Sequence, residues 1–178
     1  MWVKKVEFQF NQIQQTTGEK IPRLNHKSLI YFLVMETLEV PAKHKIPIEL
    51  HTGFADPDLD LREANPLNLR FLLEDNRFKK APIVLSHASY RYTREAGSLA
   101  SVYANVYIDF GLAIPSLSTG GMLSVVQQLI ELAPISKVMY SSDAHFIPDL
   151  YYLGAFRGRK VLGQVLDNAI NNGDLIIK

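Results

Sequence analysis

The chain of 178 residues contains no cysteine. That absence excludes a disulfide framework, cysteine-held zinc and a thiol nucleophile. An excess of one charge is missing too: 19 Lys and Arg face 18 Asp and Glu, for a formal net charge of +1. Such a balance implies no nucleic-acid partner and no anionic membrane surface. The start, MWVKKVEFQF, has no apolar run long enough for a signal peptide. The longest apolar-rich run, Leu29 to Met35, falls far short of the ~20 residues a membrane span needs. No glycine-rich phosphate loop follows any candidate strand, so the dinucleotide-binding fold has no support. The expectation is a soluble, cytoplasmic protein of one domain.

What is present is an ordinary 47% of hydrophobic residues, arranged with a rhythm. Near the start, Val6, Phe8 and Phe10 alternate with polar residues, which predicts a short strand. QIQQTTGEKIPR reads as a loop. Asn25 or Ser28 is placed to cap a helix running to about His44, with Pro41 kinking or ending it. Strands are then predicted over 46–50, 82–86, 105–110 and 137–141, separated by helices over 64–75, 92–101, 120–132 and 148–171. The strands are short and apolar on both faces, as parallel strands between helices are. Strand–helix alternation means an α/β fold. Two architectures compete, an open doubly wound sheet and a (β/α)8 barrel. The units present amount to half of a barrel, which takes about 250 residues when whole.

Each predicted strand closes on a residue with ligand or acid–base chemistry: His51, His87, Asp109 and Asp143. In parallel α/β folds the carboxyl end of the sheet is where active sites are built. Two imidazoles and a carboxylate from separate strands suit one divalent ion. Such an ion lowers the pKa of bound water toward ~7, and a strand-end aspartate can take the proton. Each residue also has a plainer reading. A lone His after a strand is more often hydrogen-bonded than ligating, and Asp143 alone reads best as a helix cap. Asp109, close to Gly111, reads as a turn former. His26 and His44 read as solvated. His145 can hold Asp143, contact a substrate or lie on the surface.

Three stretches carry a family resemblance: HTGFADPDLDLREANPLNLRFLLED, PIVLSHASYRYTREAGSLASVYANVYIDFG and SKVMYSSDAHFIPDLYYLGA. Over about residues 24–166 the chain resembles the amidohydrolase-related, metal-dependent hydrolases of TIM-barrel fold. Within them it is most similar to the amidohydrolase part of the nodulin/FluG-like glutamine-synthetase fusions. The resemblance implies His51, His87 and Asp143 as ligands from barrel strands 5, 6 and 8, with Asp143 also the catalytic proton shuttle. It implies a divalent cofactor, zinc or manganese, and a small-molecule substrate cleaved at an amide or similar C–N bond. Related barrels with similar ligands also decarboxylate or cleave C–C bonds. Tyr90, Tyr92 and His145 fall on loops that face substrate in such a barrel.

The departures matter as much. The family's HxH pair is absent, nothing corresponds to strands 1–4, and Arg91 stands where the motif carries proline. Residues 1–23 form a poorly defined segment, and 24–178 correspond to the C-terminal half of a barrel, strands 5–8 with their helices. The expectation is a fragment: a truncated gene model, a split product or a relic. Whether it is an enzyme stays open, and the isolated chain is expected to have little hydrolase activity. The alternative is a non-catalytic half-barrel that assembles with itself or with an N-terminal half-barrel. A glutamine-synthetase-like domain is implied for a full-length protein.

Overall fold

A computed structural model describes residues 2–17, 26–54 and 59–176. Its centre is a sheet of four strands, β1 (Ile48–His51), β2 (Ile83–Ser86), β3 (Val106–Asp109) and β4 (Val138–Met139), in the spatial order β1-β2-β3-β4. Every pairing is parallel. A doubly wound sheet reverses its strand order at a switch point. Among the described residues no reversal occurs, an order consistent with consecutive strands of a barrel.

Register explains how the sheet is buried. Side chains alternate between faces along a strand. The rows Ile48–Ile83–Val106 and Leu50–Leu85–Ile108–Val138 share one face. All seven belong to the main core or pack against it. The other face carries Glu49, Val84 and Tyr107, then His51, Ser86, Asp109 and Met139. None of these joins the main core. The reading of strands apolar on both faces holds for β2, where Val84 is buried on the second face, but not for the sheet as a whole: that face also carries Glu49 and ends in a polar row.

Helices supply the apolar face with its partners. These are α4 (Thr93–Val102), α6 (Thr119–Ile130) and α7 (Pro148–Asn171). In α6 the buried stripe is Met122, Val125, Val126 and Leu129, and in α7 it is Gly154, Gly158, Val161, Val165 and Ala169. Both repeat at the three-to-four-residue spacing of a helix facing a core. The Ser118 side chain accepts the Gly121 N–H at the start of α6, and Pro148 opens α7 where its missing N–H costs nothing.

The N-terminal segment differs from its sequence pattern. Residues predicted as a strand lie in helix α1 (Trp2–Thr17), which extends into the segment read as a loop. Its burial period is seven, two helical turns: Val6 and Ile13 pack on Leu29 of α2 (Lys27–His44), while Phe8 is 63% exposed. His26 is the N-cap of α2 without a side-chain bond, and Ser28 lies inside the helix; Asn25 is outside the described residues. Pro41 does not end α2. The helix closes at left-handed Lys45, whose N–H and that of Ile46 both reach the Pro41 carbonyl. The helix predicted over 64–75 is a 3₁₀ turn, Pro66–Leu69, and one α-helical turn, α3 (Arg70–Leu73). A further turn, α5 (Ala113–Ser116), follows β3. Among the described residues β1 and β4 each pair on one side only, and no helix is long and apolar enough to cross a membrane.

Candidate functional site

The polar row sits at the carboxyl ends of the strands, where the left-handed backbone also concentrates. His87, Ala88 and Ser89 have φ of 61°, 52° and 47°, and Asp143 has 49°. Non-glycine residues held there cost about 1–3 kcal/mol each and persist only where surroundings enforce them. The enforcement is visible. The Thr52 and Ser89 hydroxyls bond at 2.6 Å in a buried pair. Gly53, at φ +70°, lies so close that a Cβ would stand 2.3 Å from the Ser89 carbonyl carbon. Only glycine fits there. The Tyr90–Arg91 peptide that follows is cis.

This folding brings His51 and His87 together. Their ring centroids are 4.3 Å apart, at 70° between planes. His51 Nε2 bonds the Phe54 carbonyl. A carbonyl only accepts, so Nε2 carries the hydrogen and Nδ1 keeps its lone pair free in the neutral ring. His87 is 7% exposed, and its Nδ1 is buried without a partner. Burial lowers the His87 pKa, and neighbouring His51 lowers it further. The Asp143 carboxylate, the Gly111 carbonyl and Asp109 pull the other way. The lowered pKa favours the neutral ring, the form that donates a lone pair to a metal.

Asp143 does not cap α7, whose N-cap is Ile147. Its carbonyl bonds His145 Nδ1 at 3.0 Å, and its Oδ1 lies 3.6 Å from the same nitrogen. His145 therefore holds Asp143. Asp143 is near enough to act on His87, but among the described residues no three His, Asp or Glu side chains already stand close enough to share an ion. The structure brings the histidines together and leaves the aspartate turned toward His145.

Asp109 is the residue whose part the sequence hid. It is buried, and one oxygen, Oδ2, accepts the Gly111 N–H at 2.9 Å and the Ser141 hydroxyl at 2.8 Å. Burial raises its pKa, opposed by those two bonds. The turn with Gly111 was legible in the Asp-x-Gly spacing; the bond to Ser141 crosses between strands and leaves no local signal. Of the remaining candidates, the Tyr92 hydroxyl is taken up by the Leu61 carbonyl at 3.0 Å, and the half-buried Tyr90 ring lies 5.6 Å from Phe54. His44 is exposed in the last turn of α2, and His26 has a buried, unpartnered Nδ1.

The amidohydrolase family model matches residues 12–168. Protein fluG of Emericella nidulans is 36% identical over 162 residues, covering 88% of this chain and 18% of that protein. The crystal structure of a candidate metal-dependent hydrolase from Lactobacillus casei aligns with a TM-score of 0.72 at 36% identity, covering 81% of this chain and 37% of that one. The chain spans well under half the length of either relative.

Proposed function

Because the chain belongs to the amidohydrolase family, we propose that its strand-end row serves metal-dependent hydrolysis of an amide or similar C–N bond in a small molecule. The observation that carries this reading is the His51–His87 pair, in contact at 4.3 Å, with the buried Nδ1 of His87 lacking any partner. A buried polar atom without a partner is costly, and a bound ion or water relieves it. The donor set of two imidazoles and a carboxylate, with no thiolate, fits zinc or manganese.

His51, His87 and Asp143 are the residues that would hold the ion. When bound, a divalent ion polarises a substrate carbonyl and acidifies water. The protein does the rest. The Phe54 carbonyl fixes the His51 ring, as partners of ligating histidines commonly do. Burial favours the neutral form of His87. In this reading the Asp143 carboxylate would accept a proton from water and return it to the leaving nitrogen. His145 restrains Asp143 through its carbonyl. Tyr90 and Tyr92 sit on the adjoining loop, on the substrate side of this reading.

The four strands are, in this reading, half of an eight-stranded barrel. Sequential strand order, a single face packed by the helical core, and coverage of 37% of the Lactobacillus casei chain support it. One-sided edges at β1 and β4 favour a second element of the proposal: further strands pair there, from another copy or another polypeptide. Phe146, Tyr152 and Phe156, which follow β4 in the chain, are exposed.

The test measures bound zinc and manganese in the purified chain, as wild type and as His51→Ala, His87→Ala and Asp143→Ala, with molar mass from light scattering. The expected result is metal bound by wild type and weakened by each substitution, in a species larger than one chain. Stoichiometric metal unaffected by all three substitutions sinks the ligand assignment.

A further inference from the structure

Two hydrogen bonds cross between neighbouring strand-end loops, and each lies beside a proposed ligand. Thr52–Ser89 links the loops after β1 and β2, next to His51 and His87. Ser141–Asp109 links the loop after β4 to the end of β3, two residues before Asp143. The second link has the heavier duty. β4 is only two residues long, Val138 and Met139, and it pairs with β3 alone. Beyond Met139 the ladder stops, so the path of the chain to Asp143 is not fixed by sheet hydrogen bonds.

Asp109 is built for this link. It is rooted in a ladder strand, 4% exposed, and its Oδ2 takes both the Gly111 N–H and the Ser141 hydroxyl. Gly111 keeps the space open: a Cβ there would stand 2.0 Å from Ser141 Oγ and 2.7 Å from Asp109 Oδ2. So the carboxylate, the glycine and the serine form one fitted unit at the root of the Asp143 loop. None of the three is itself a proposed ligand.

The geometry points to Asp109 and Ser141 as positioning residues: their hydrogen bond anchors the loop that carries Asp143 against the histidine pair and so sets the affinity of the site for a divalent ion. This rests on the ligand assignment made above. It predicts that Ser141 matters only through Asp143.

The test titrates cobalt(II) into the full chain as wild type, Ser141→Ala, Ser141→Thr, Asp109→Asn, Asp143→Ala and the Ser141→Ala/Asp143→Ala double variant. Affinity is read by calorimetry, ligand geometry by the visible absorption of cobalt, and folding by circular dichroism. Ser141 is exposed, so its truncation opens no core void. Ser141→Ala is expected to weaken cobalt binding about 10-fold, as loss of an outer partner does at metal sites, and to shift the visible band. Ser141→Thr keeps a hydroxyl and restores both. Asp109→Asn keeps the accepting oxygen and loses less than Ser141→Ala. In the Asp143→Ala background, Ser141→Ala changes nothing further. Wild-type affinity in Ser141→Ala, or an undiminished effect in the Asp143→Ala background, overturns the positioning role and leaves the ligands standing. If wild type binds no cobalt, or if Asp143→Ala binds it unchanged, the ligand assignment falls and the positioning role falls with it.

Discussion

His51 and His87 meet edge to face, ring centroids 4.3 Å apart, because β1 and β2 pair with His51 opposite Ser86 and the chain turns left-handed at His87. A register shift of one residue would send His51 to the hydrocarbon face. The histidine pair is therefore a product of the same apolar rows that build the core.

The first prediction concerns pH. The folded-state pKa of His87 lies below its ordinary value of 6.5, chiefly through burial. Between those two values the unfolded chain binds more protons than the folded one, so stability rises with pH there. The contribution is intact above 6.5 and lost as pH falls through the lowered folded value. Metal-free protein is thus expected to lose thermal stability as pH drops below 6.5, with a shallower slope in His87→Asn. Melting curves taken at several pH values in chelator decide it; an equal slope in the variant assigns the loss to other groups.

The second concerns the Thr52–Ser89 bond. Thr52→Val keeps the shape of the side chain and leaves the Ser89 hydroxyl buried at 0% exposure without its partner. An unpaired buried polar group costs about 1–3 kcal/mol. Adding Ser89→Ala removes the orphan, so the double variant is expected to regain much of that loss. Chemical denaturation of wild type and the two variants measures both steps, and a double variant no more stable than Thr52→Val would contradict the buried-hydroxyl account.

The parts of the fold that the sequence showed, and those it concealed, follow from where the determining contacts lie. β2 was plain because Ile83, Val84 and Leu85 are all buried. α6 and α7 were plain because their stripes keep a helical period over several turns. The strand assigned to Val6, Phe8 and Phe10 rested on three residues alternating by two. The helix there buries Val6 and Ile13 instead, a pair whose common partner, Leu29, is on another helix. The 64–75 helix shrank because Asn65 spends its side chain on the Leu67 N–H and Pro66 starts a 3₁₀ turn. The site divides in the same way. His51, His87 and Asp143 were visible as strand ends. The role of Asp109 was not, since its partner Ser141 lies 32 residues away and is reached only through the sheet.

The third prediction separates the two ends of the sheet. Lys137, just before β4, sends its ammonium group to the carbonyls of Ala100 and Tyr103, each at 2.7 Å. Those carbonyls belong to the end of α4, where the last turn of a helix has no partners of its own. The cost of drawing the ammonium out of water shows in its lowered pKa. Lys137→Met keeps the aliphatic stem and removes both donors, for a loss of about 1–3 kcal/mol. In a chain of this size that lowers the melting temperature by roughly 2–4 °C per kcal/mol. The ligands lie at the opposite ends of the strands, so cobalt affinity is expected to stay at the wild-type value. Thr52→Val has a similar stability cost but adjoins His51 and holds Ser89 beyond His87, and it is expected to weaken cobalt binding as well. Equal cobalt losses in the two variants would mean that affinity merely follows stability, and would remove the grounds for treating the strand-end row as a built site.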